Sequence, residues 1–465
     1  MLYLATSKFL VDVNMSHPSG SKALFKKLIP LVLAKLESQE AARLQLSGET
    51  SDFIRFNHGR IRHSHSTDQV QIKLIWQKSR RELQFTFTLN QDLKQILQLI
   101  EDFLTQSRLL VSALPEQQGF VAITGNLQEE RQTPSQIPPL EYFLTEFPKT
   151  IAQDDLAGLV TRGFQYEGLA NHLGEFLWFE AETFFIDYSL YEGRSASKGG
   201  ISGAVFSEST WLQNLQQTRQ NLEFLKKPRK KITPGAYRVY LAPAALYELI
   251  EKLKGWGLEY PSPLSLKKFK QGSSPFSDLI KGHRSLSEKF TLYENSSLGF
   301  VPSFNSLGEK VPENLPLIHK GQLKNMLVST NSAHAYEVNS LNIDVAENIL
   351  SPDVAPGSLC FNDILPKLEQ GLYLSNLHYV NFSDLKTARV TGMTRYACYW
   401  VENGQIQSPI EDMRFDVSLY DVWGDNLLEL TDFTIPFLST DTYSHRNWGG
   451  ARVPGALVQN FQFTL

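Results

Sequence analysis

Cysteine is nearly absent: Cys360 and Cys398 are the only two in 465 residues. That excludes a disulfide-stapled secreted scaffold and leaves the pair to be read as buried, reduced thiols. An excess of one charge is lacking as well. Lys and Arg number 45 against 49 Asp and Glu, a formal net charge of −4. So balanced a surface gives no electrostatic footprint for nucleic acid or for an anionic membrane. No apolar run approaches the ~18 residues that a membrane span needs. The mildly apolar start, Met1 to Leu10, is interrupted by Lys8 and lacks a small-residue cleavage site. The strong catalytic signatures are missing too. None of the ten histidines is followed by Glu, and there is no Cys-x-x-Cys, Gly-x-Ser-x-Gly elbow or phosphate-cradling loop. What is present, 42% hydrophobic and 11% aromatic residues, is ample for sizeable cores. These features predict a soluble, cytoplasmic globular protein of two or three domains.

The patterning divides the chain. Residues 1–19 read as a loose segment. From Ser21 to Glu40 the apolar spacing is helical, with a kink or break expected at Pro30. Period two then takes over through residues 42–46, 53–56, 61–64, 70–76 and 82–87, with Asn57-His58-Gly59 as a hairpin turn. Helical period returns over 93–110, where Leu93, Ile96, Leu97, Ile100 and Leu104 share a face. Residues 111–150 read as a loop or crossover, 154–170 as a helix, 176–179 and 184–191 as strands, and 193–203 as a loop. Gln213 to Lys231 is a charged helix ending in Arg229-Lys230-Lys231. The fold class is α+β: an N-terminal α/β-layered domain with antiparallel strands over 20–231, then a β-rich C-terminal domain over 232–465.

Three polar groupings invite chemistry. His63 and His65 lie two apart on a strand and share a face, with His58 nearby, yet a polar strand face explains them as well as a metal does. Glu175, Glu180, Glu182 and Asp187 interleave with Trp178, Phe179, Phe184 and Phe185. Paired carboxylates can do acid–base work, but a half-buried strand looks the same. His378, Asn381, Thr394 and Arg395 cluster near a turn and are candidates for binding a peptide backbone or carboxylate.

Four motifs in order resemble the TldD/PmbA family of peptide-processing proteins, PmbA being also called TldE. They are Phe53-Ile54-Arg55-Phe56-Asn57-His58-Gly59-Arg60, Pro316-Leu317-Ile318-His319-Lys320-Gly321-Gln322, Val390-Thr391-Gly392-Met393-Thr394-Arg395 with Glu402-Asn403-Gly404-Gln405, and Val453-Pro454-Gly455-Ala456-Leu457-Val458. The resemblance implies a cytosolic protein in one of two classes. TldD-type chains carry zinc in His-Glu-x-x-x-His on a helix with a late Cys; they pair with a metal-free PmbA-type chain and trim small or unfolded peptides. Here the helix expected over Ala244 to Gly257 carries Glu251 and Trp256 at the ligand positions and Lys252 at the general base, and Arg446-Asn447-Trp448 stands near the late Cys. The resemblance therefore implies a PmbA/TldE-like chain with no cofactor of its own and no catalytic residue. Its partners would be a zinc-bearing TldD-like subunit, or itself as a homodimer, and a peptide or unfolded polypeptide. Two alternatives remain: an autonomous peptidase with a site rebuilt from Glu248, Glu251, His378 and His445, or a peptide-binding scaffold.

Overall fold

The structure, a computed structural model, describes residues 18–89, 92–117, 119–255, 258–272 and 274–464. Most of the expected loose segment 1–19, and Trp256, therefore lie outside the described residues. Among these residues no helix is long and apolar enough to cross a membrane.

The N-terminal part builds a seven-stranded antiparallel sheet from β1 (Ala41–Asn57), β2 (Arg60–Lys78), β3 (Arg81–Thr88), β4 (Gln128–Thr133), β5 (Leu156–Asn171), β6 (Phe176–Glu192) and β7 (Ser195–Gly203). The order is β3-β2-β1-β5-β6-β4, with β7 also on β6. The β1–β2 turn forms where expected, with His58 and Gly59 both left-handed at φ 49° and 65°, as a two-residue hairpin demands.

The chain forms two compact units. The first takes in residues up to Ser51, Ser66–Arg131 and Phe164–Glu180. Here α1 (Pro18–Leu33) buries Phe25, Leu28 and Val32, and α2 (Leu93–Leu110) buries Ile96, Ile100 and Leu104 against Leu44, Leu74 and Trp178. Each large side chain so buried contributes about 1.5–3 kcal/mol. Between them sits Glu40, its side chain fully enclosed. It accepts from Arg108 at 2.8 and 2.9 Å and from Lys78 at 3.2 Å. Burial pushes this carboxyl up, but Arg108, the Glu37 backbone, Trp76 and Lys78 outweigh it and bring it down to about 2.

The second unit takes in Asp52–His65, Gln132–Gly163 and Ala181–Leu465. One of its cores packs α3 (Leu140–Thr145), α4 (Phe147–Ile151) and α5 (Glu208–Phe224) on Phe184, Ile186 and Tyr188, with the Phe147 and Trp211 rings 4.6 Å apart. The largest core lies in an eleven-stranded mixed sheet. Its first strand is β8 (Gly235–Leu241), followed by α6 (Pro243–Ile250) and a small separate pair, β9 (Lys254–Gly255) and β10 (Leu258–Glu259). Then come β11 (Leu292–Glu294), β12 (Leu315–His319), β13 (Gln322–Leu323) and β14 (Pro352–Val354). The long hairpin β15 (Gly371–Asp384) and β16 (Arg389–Glu402) follows, with β17 (Gln405–Pro409), β18 (Arg414–Ser418), β19 (Leu427–Leu438) and β20 (Gly450–Phe463). Because β8 pairs with both β15 and β20, the path β8-β15-β16-β18-β20 closes on itself. Both expected hairpin turns of this region form, at Lys320-Gly321 and Asn403-Gly404.

Glu294, at the end of β11, is buried in this unit and accepts from the backbone N–H groups of Leu350 and Ser351 at 3.0–3.2 Å. Burial pushes it up to about 7, against those two N–H groups and the distant Lys254.

Several expectations are corrected. The helix expected over 154–170 is strand β5, and the loop at 193–203 is largely β7. Gly158 lies against Tyr188, Gly168 against Trp178 and Gly199 against the Tyr188 ring, so these glycines make room for aromatics. Helix α1 runs through Pro30 and stops at Leu33, after which β1 begins at Ala41. The stretch 111–150 holds β4, α3 and α4. Cys398 is buried, but Cys360 is exposed.

Candidate functional site

Helix α6 begins where the resemblance places the zinc-bearing helix. Pro243 fits its first turn, since the missing N–H is one the helix would leave unpaired. Ala245, Leu246, Leu249 and Ile250 point into the core. Ala244, Tyr247, Glu248 and Glu251 recur at helical spacing on the other face. The helix is shorter than expected: it ends at Ile250, followed by the tight turn Glu251–Leu253 and strand β9. Glycine at 255 and the turn of Lys254 back onto Glu251 suit a stop here.

That end of the helix does not fit a zinc ion. Glu251 is already engaged, accepting from the Tyr247 hydroxyl at 2.6 Å and pairing with Lys254 at 2.8 Å. Burial raises its carboxyl, but Lys254 and Tyr247 hold it below the usual range. Lys252 offers an ammonium, which is no ligand at neutral pH. Among the described residues, no three His, Cys, Asp or Glu side chains come together as a metal cage. Arg446, near the late position, is buried and donates to the carbonyls of Gly163 and Thr183 at 3.1 and 3.5 Å. His445 is exposed, with Nδ1 3.0 Å from the Ser444 hydroxyl.

Beside α6 lies a cleft of about 380 Å³, within the second unit. Ala244, Tyr247 and Glu248 form one wall, β7 residues Lys198 to Ser202 another, and β19 residues Ile435 to Leu438 a third. Tyr247 stacks on Phe437, with ring centroids 4.7 Å apart. The Ser202 hydroxyl donates to the Pro436 carbonyl at 3.2 Å and accepts from Leu438 N–H at 3.0 Å, which pins β7 to β19. Among the described residues β7 forms its strand ladder with β6 alone, so its other edge carries no ladder. Lys198 pairs with Asp187 at 2.8 Å. Glu248 makes no hydrogen bond or ion pair within the described residues. Burial pushes its carboxyl above the usual range; Lys252 and Lys198 pull it down, and Glu251 and Asp187 push it further up.

The four binding candidates sit on the β15–β16 hairpin. His378 is half-buried against the Tyr379 ring at 4.0 Å. Burial lowers its imidazole, with Arg395 and Lys198 adding to the effect and Asp412 opposing it. Arg395 is exposed, its guanidinium 5.4 Å from the Tyr396 ring. Asn381 is exposed and accepts from Phe382 N–H at 2.8 Å. Thr394 is buried, and its hydroxyl accepts from Met413 N–H at 2.9 Å. None of the four lines the cleft; the same strand β15 reaches it earlier, through Tyr373, Ser375 and Asn376. The remaining groupings disperse into structure. His65 stacks on Phe53 at 4.9 Å. Glu180 accepts from Trp178 at 2.6 Å, Glu182 pairs with Arg162 at 2.7 Å, and Glu175 accepts from Asn171 at 2.9 Å. Of that acidic stretch Asp187 alone lines the cleft, and sequence reading missed its partner Lys198, which stands in a Gly/Ser-rich run with no local signal of function.

No curated protein matches this chain at a significant level. Residues 234–465 match the family model described as the PmbA/TldA metallopeptidase C-terminal domain. Among solved structures, the chain is similar in fold to a proposed modulator of a DNA gyrase from Thermotoga maritima, with TM-score 0.74, 14% identity and coverage of 95% of this chain and 100% of that one. TldE from Thermococcus kodakarensis follows, at TM-score 0.72, 11% identity and coverage of 96% and 100%. A second proposed modulator of DNA gyrase, from Bacteroides thetaiotaomicron, gives 0.67, 14%, 95% and 98%. The β8–α6 start and the closed β-rich unit coincide with the matched domain, and the chain belongs to the TldD/PmbA family.

Proposed function

We propose that this protein is a metal-free, non-catalytic member of its family that holds peptide for a zinc-bearing, TldD-like partner in the cytoplasm. The observation that carries this reading is the state of the helix end. Glu251 is spent on Tyr247 and Lys254 and is not available to hold a metal, while the cleft beside it stays open and borders the edge of β7 that carries no ladder among the described residues and is tied to β19 only through the Ser202 side chain. Such an edge offers an extended peptide main-chain hydrogen bonds that tolerate many sequences. The likeness in fold to a TldE supports the assignment to that class. The test is native mass spectrometry, with metal analysis, of the protein purified from its own host. A complex of this chain with a different one, zinc residing on the other subunit, is expected. A homomer that binds zinc stoichiometrically would overturn the reading.

A second reading, an autonomous peptidase, is favoured by one observation: the desolvated Glu248 carboxyl in the cleft is the kind of group that serves as a general acid or base. It requires cleavage by the isolated chain, lost in Glu248→Gln and in Glu251→Ala. A homomer with neither metal nor cleavage would leave the peptide-binding scaffold.

A further inference from the structure

We propose that the cleft beside α6 receives a cationic nitrogen of the bound peptide, ammonium or guanidinium, on the Glu248 carboxylate. This rests on the peptide-holding reading above and adds to it what the cleft selects.

Three charged side chains line the cleft: Asp187, Lys198 and Glu248. Asp187 and Lys198 satisfy each other at 2.8 Å, which leaves one negative charge over. Glu251, next along the helix face, is neutralised by Lys254, and Lys252 forms no ion pair with Glu248. The remaining carboxylate is thus partly desolvated and, although Lys252 and Lys198 act on it through space, makes no hydrogen bond or ion pair among the described residues, a state that a bound cation relieves through a charge-assisted hydrogen bond. The walls suit the stem that carries such a cation. Ile201, Phe185 and the stacked Tyr247–Phe437 pair present apolar surface, against which methylenes pack while the charged head reaches the carboxylate. The polar partners of a peptide group are also at hand. Asn376 lines the cleft with its amide uncommitted among the described residues, and β7, which ladders with β6 alone among them, forms the wall opposite α6. An anionic ligand would meet the Glu248 carboxylate as a like charge, so the cleft discriminates by charge as well as by shape.

The test measures binding of three fluorescent eight-residue peptides to the full-length chain at low salt. One is blocked at both ends and neutral, one is blocked but carries a single lysine, and one is neutral apart from a free N-terminus. At least one cationic peptide is expected to bind roughly tenfold to a hundredfold more tightly than the neutral one. Whichever of the two does so identifies the source of the cation. Glu248→Gln should erase that preference, and its unchanged thermal melting reports an intact fold. Glu248→Lys should turn the preference toward a blocked peptide bearing one aspartate. Equal binding of all three peptides, unaltered by E248Q, overturns the cation anchor while the peptide-holding reading stands. No binding of any peptide overturns both.

Discussion

Glu40 and Glu294 are both buried glutamates, one in each unit, and their surroundings drive them in opposite directions. Glu40 meets two full positive charges, Arg108 and Lys78, and stays ionised down to about pH 2. Among the described residues Glu294 meets only backbone N–H groups at hydrogen-bonding distance, and burial lifts it to about 7. Dipoles satisfy a carboxylate's geometry without cancelling its charge, so the desolvation penalty survives. The lesson is that enclosure alone does not tell the protonation state of a buried acid. The nearest formal charge does.

The comparison predicts separate pH windows. Glu40 has a depressed folded-state value, so it stabilises above its ordinary value of 4.5, and that contribution is lost as pH falls toward about 2. Glu294 has a raised one, so stability falls as pH rises from 4.5 toward about 7. The largest single effect expected is from Glu40→Ala, which leaves Arg108 with only Glu37 and the Lys35 carbonyl among the described residues and takes from Lys78 its buried partner, and should cost about 3 kcal/mol. Denaturant titration measures it, and hydrogen exchange should place the loosening in the first unit. A loss under ~1 kcal/mol would mean that the pair is solvated. Next comes Glu294→Gln. The wild type should lose on the order of 3 kcal/mol between pH 4.5 and 7 through this group, and the variant should lack that slope even though one amide hydrogen now faces an N–H. An unchanged slope would assign the titration elsewhere. The smallest effect is the sharpest contrast: Glu248→Gln removes a carboxylate with no partner, so thermal melting at neutral pH should be unchanged or raised, within ~1 kcal/mol. A clear destabilisation would reveal a partner for Glu248.

Much of the fold was legible where one period dominated. Leu93, Ile96, Ile100 and Leu104 announced α2 to its observed ends, and Asn57-His58-Gly59 and Asn403-Gly404 announced their hairpins. Strand β5 was not legible, since Leu156, Leu159 and Val160 mimic helical spacing. Glycines at 158, 163 and 168 were the contrary signal, each a poor helix residue. Strand β7 has almost no β propensity in its sequence. Pairing with β6 imposes the conformation, and the Tyr188 ring occupies the space beside Gly199. At the site, α6 and its Glu248 and Glu251 were visible, because a short helix follows a strand and proline. The cleft itself was not. It is assembled from β6, β7, β15 and β19, residues far apart in the chain, and no local pattern joins Lys198 to Glu248.

The closed path of strands has a consequence for how the chain reaches its native state. Strand β8 is hydrogen-bonded to β20, and Arg238 donates to Gln459 across 221 residues. Until β20 has been synthesised, β8 lacks one neighbour and the ring cannot shut, so this sheet is completed only with its last strand. So long a separation slows closure and prolongs the exposure of strand edges. A chain lacking β20 would leave the facing edge of β8 without its partner, so truncation at this strand should open the ring of strands rather than shorten it.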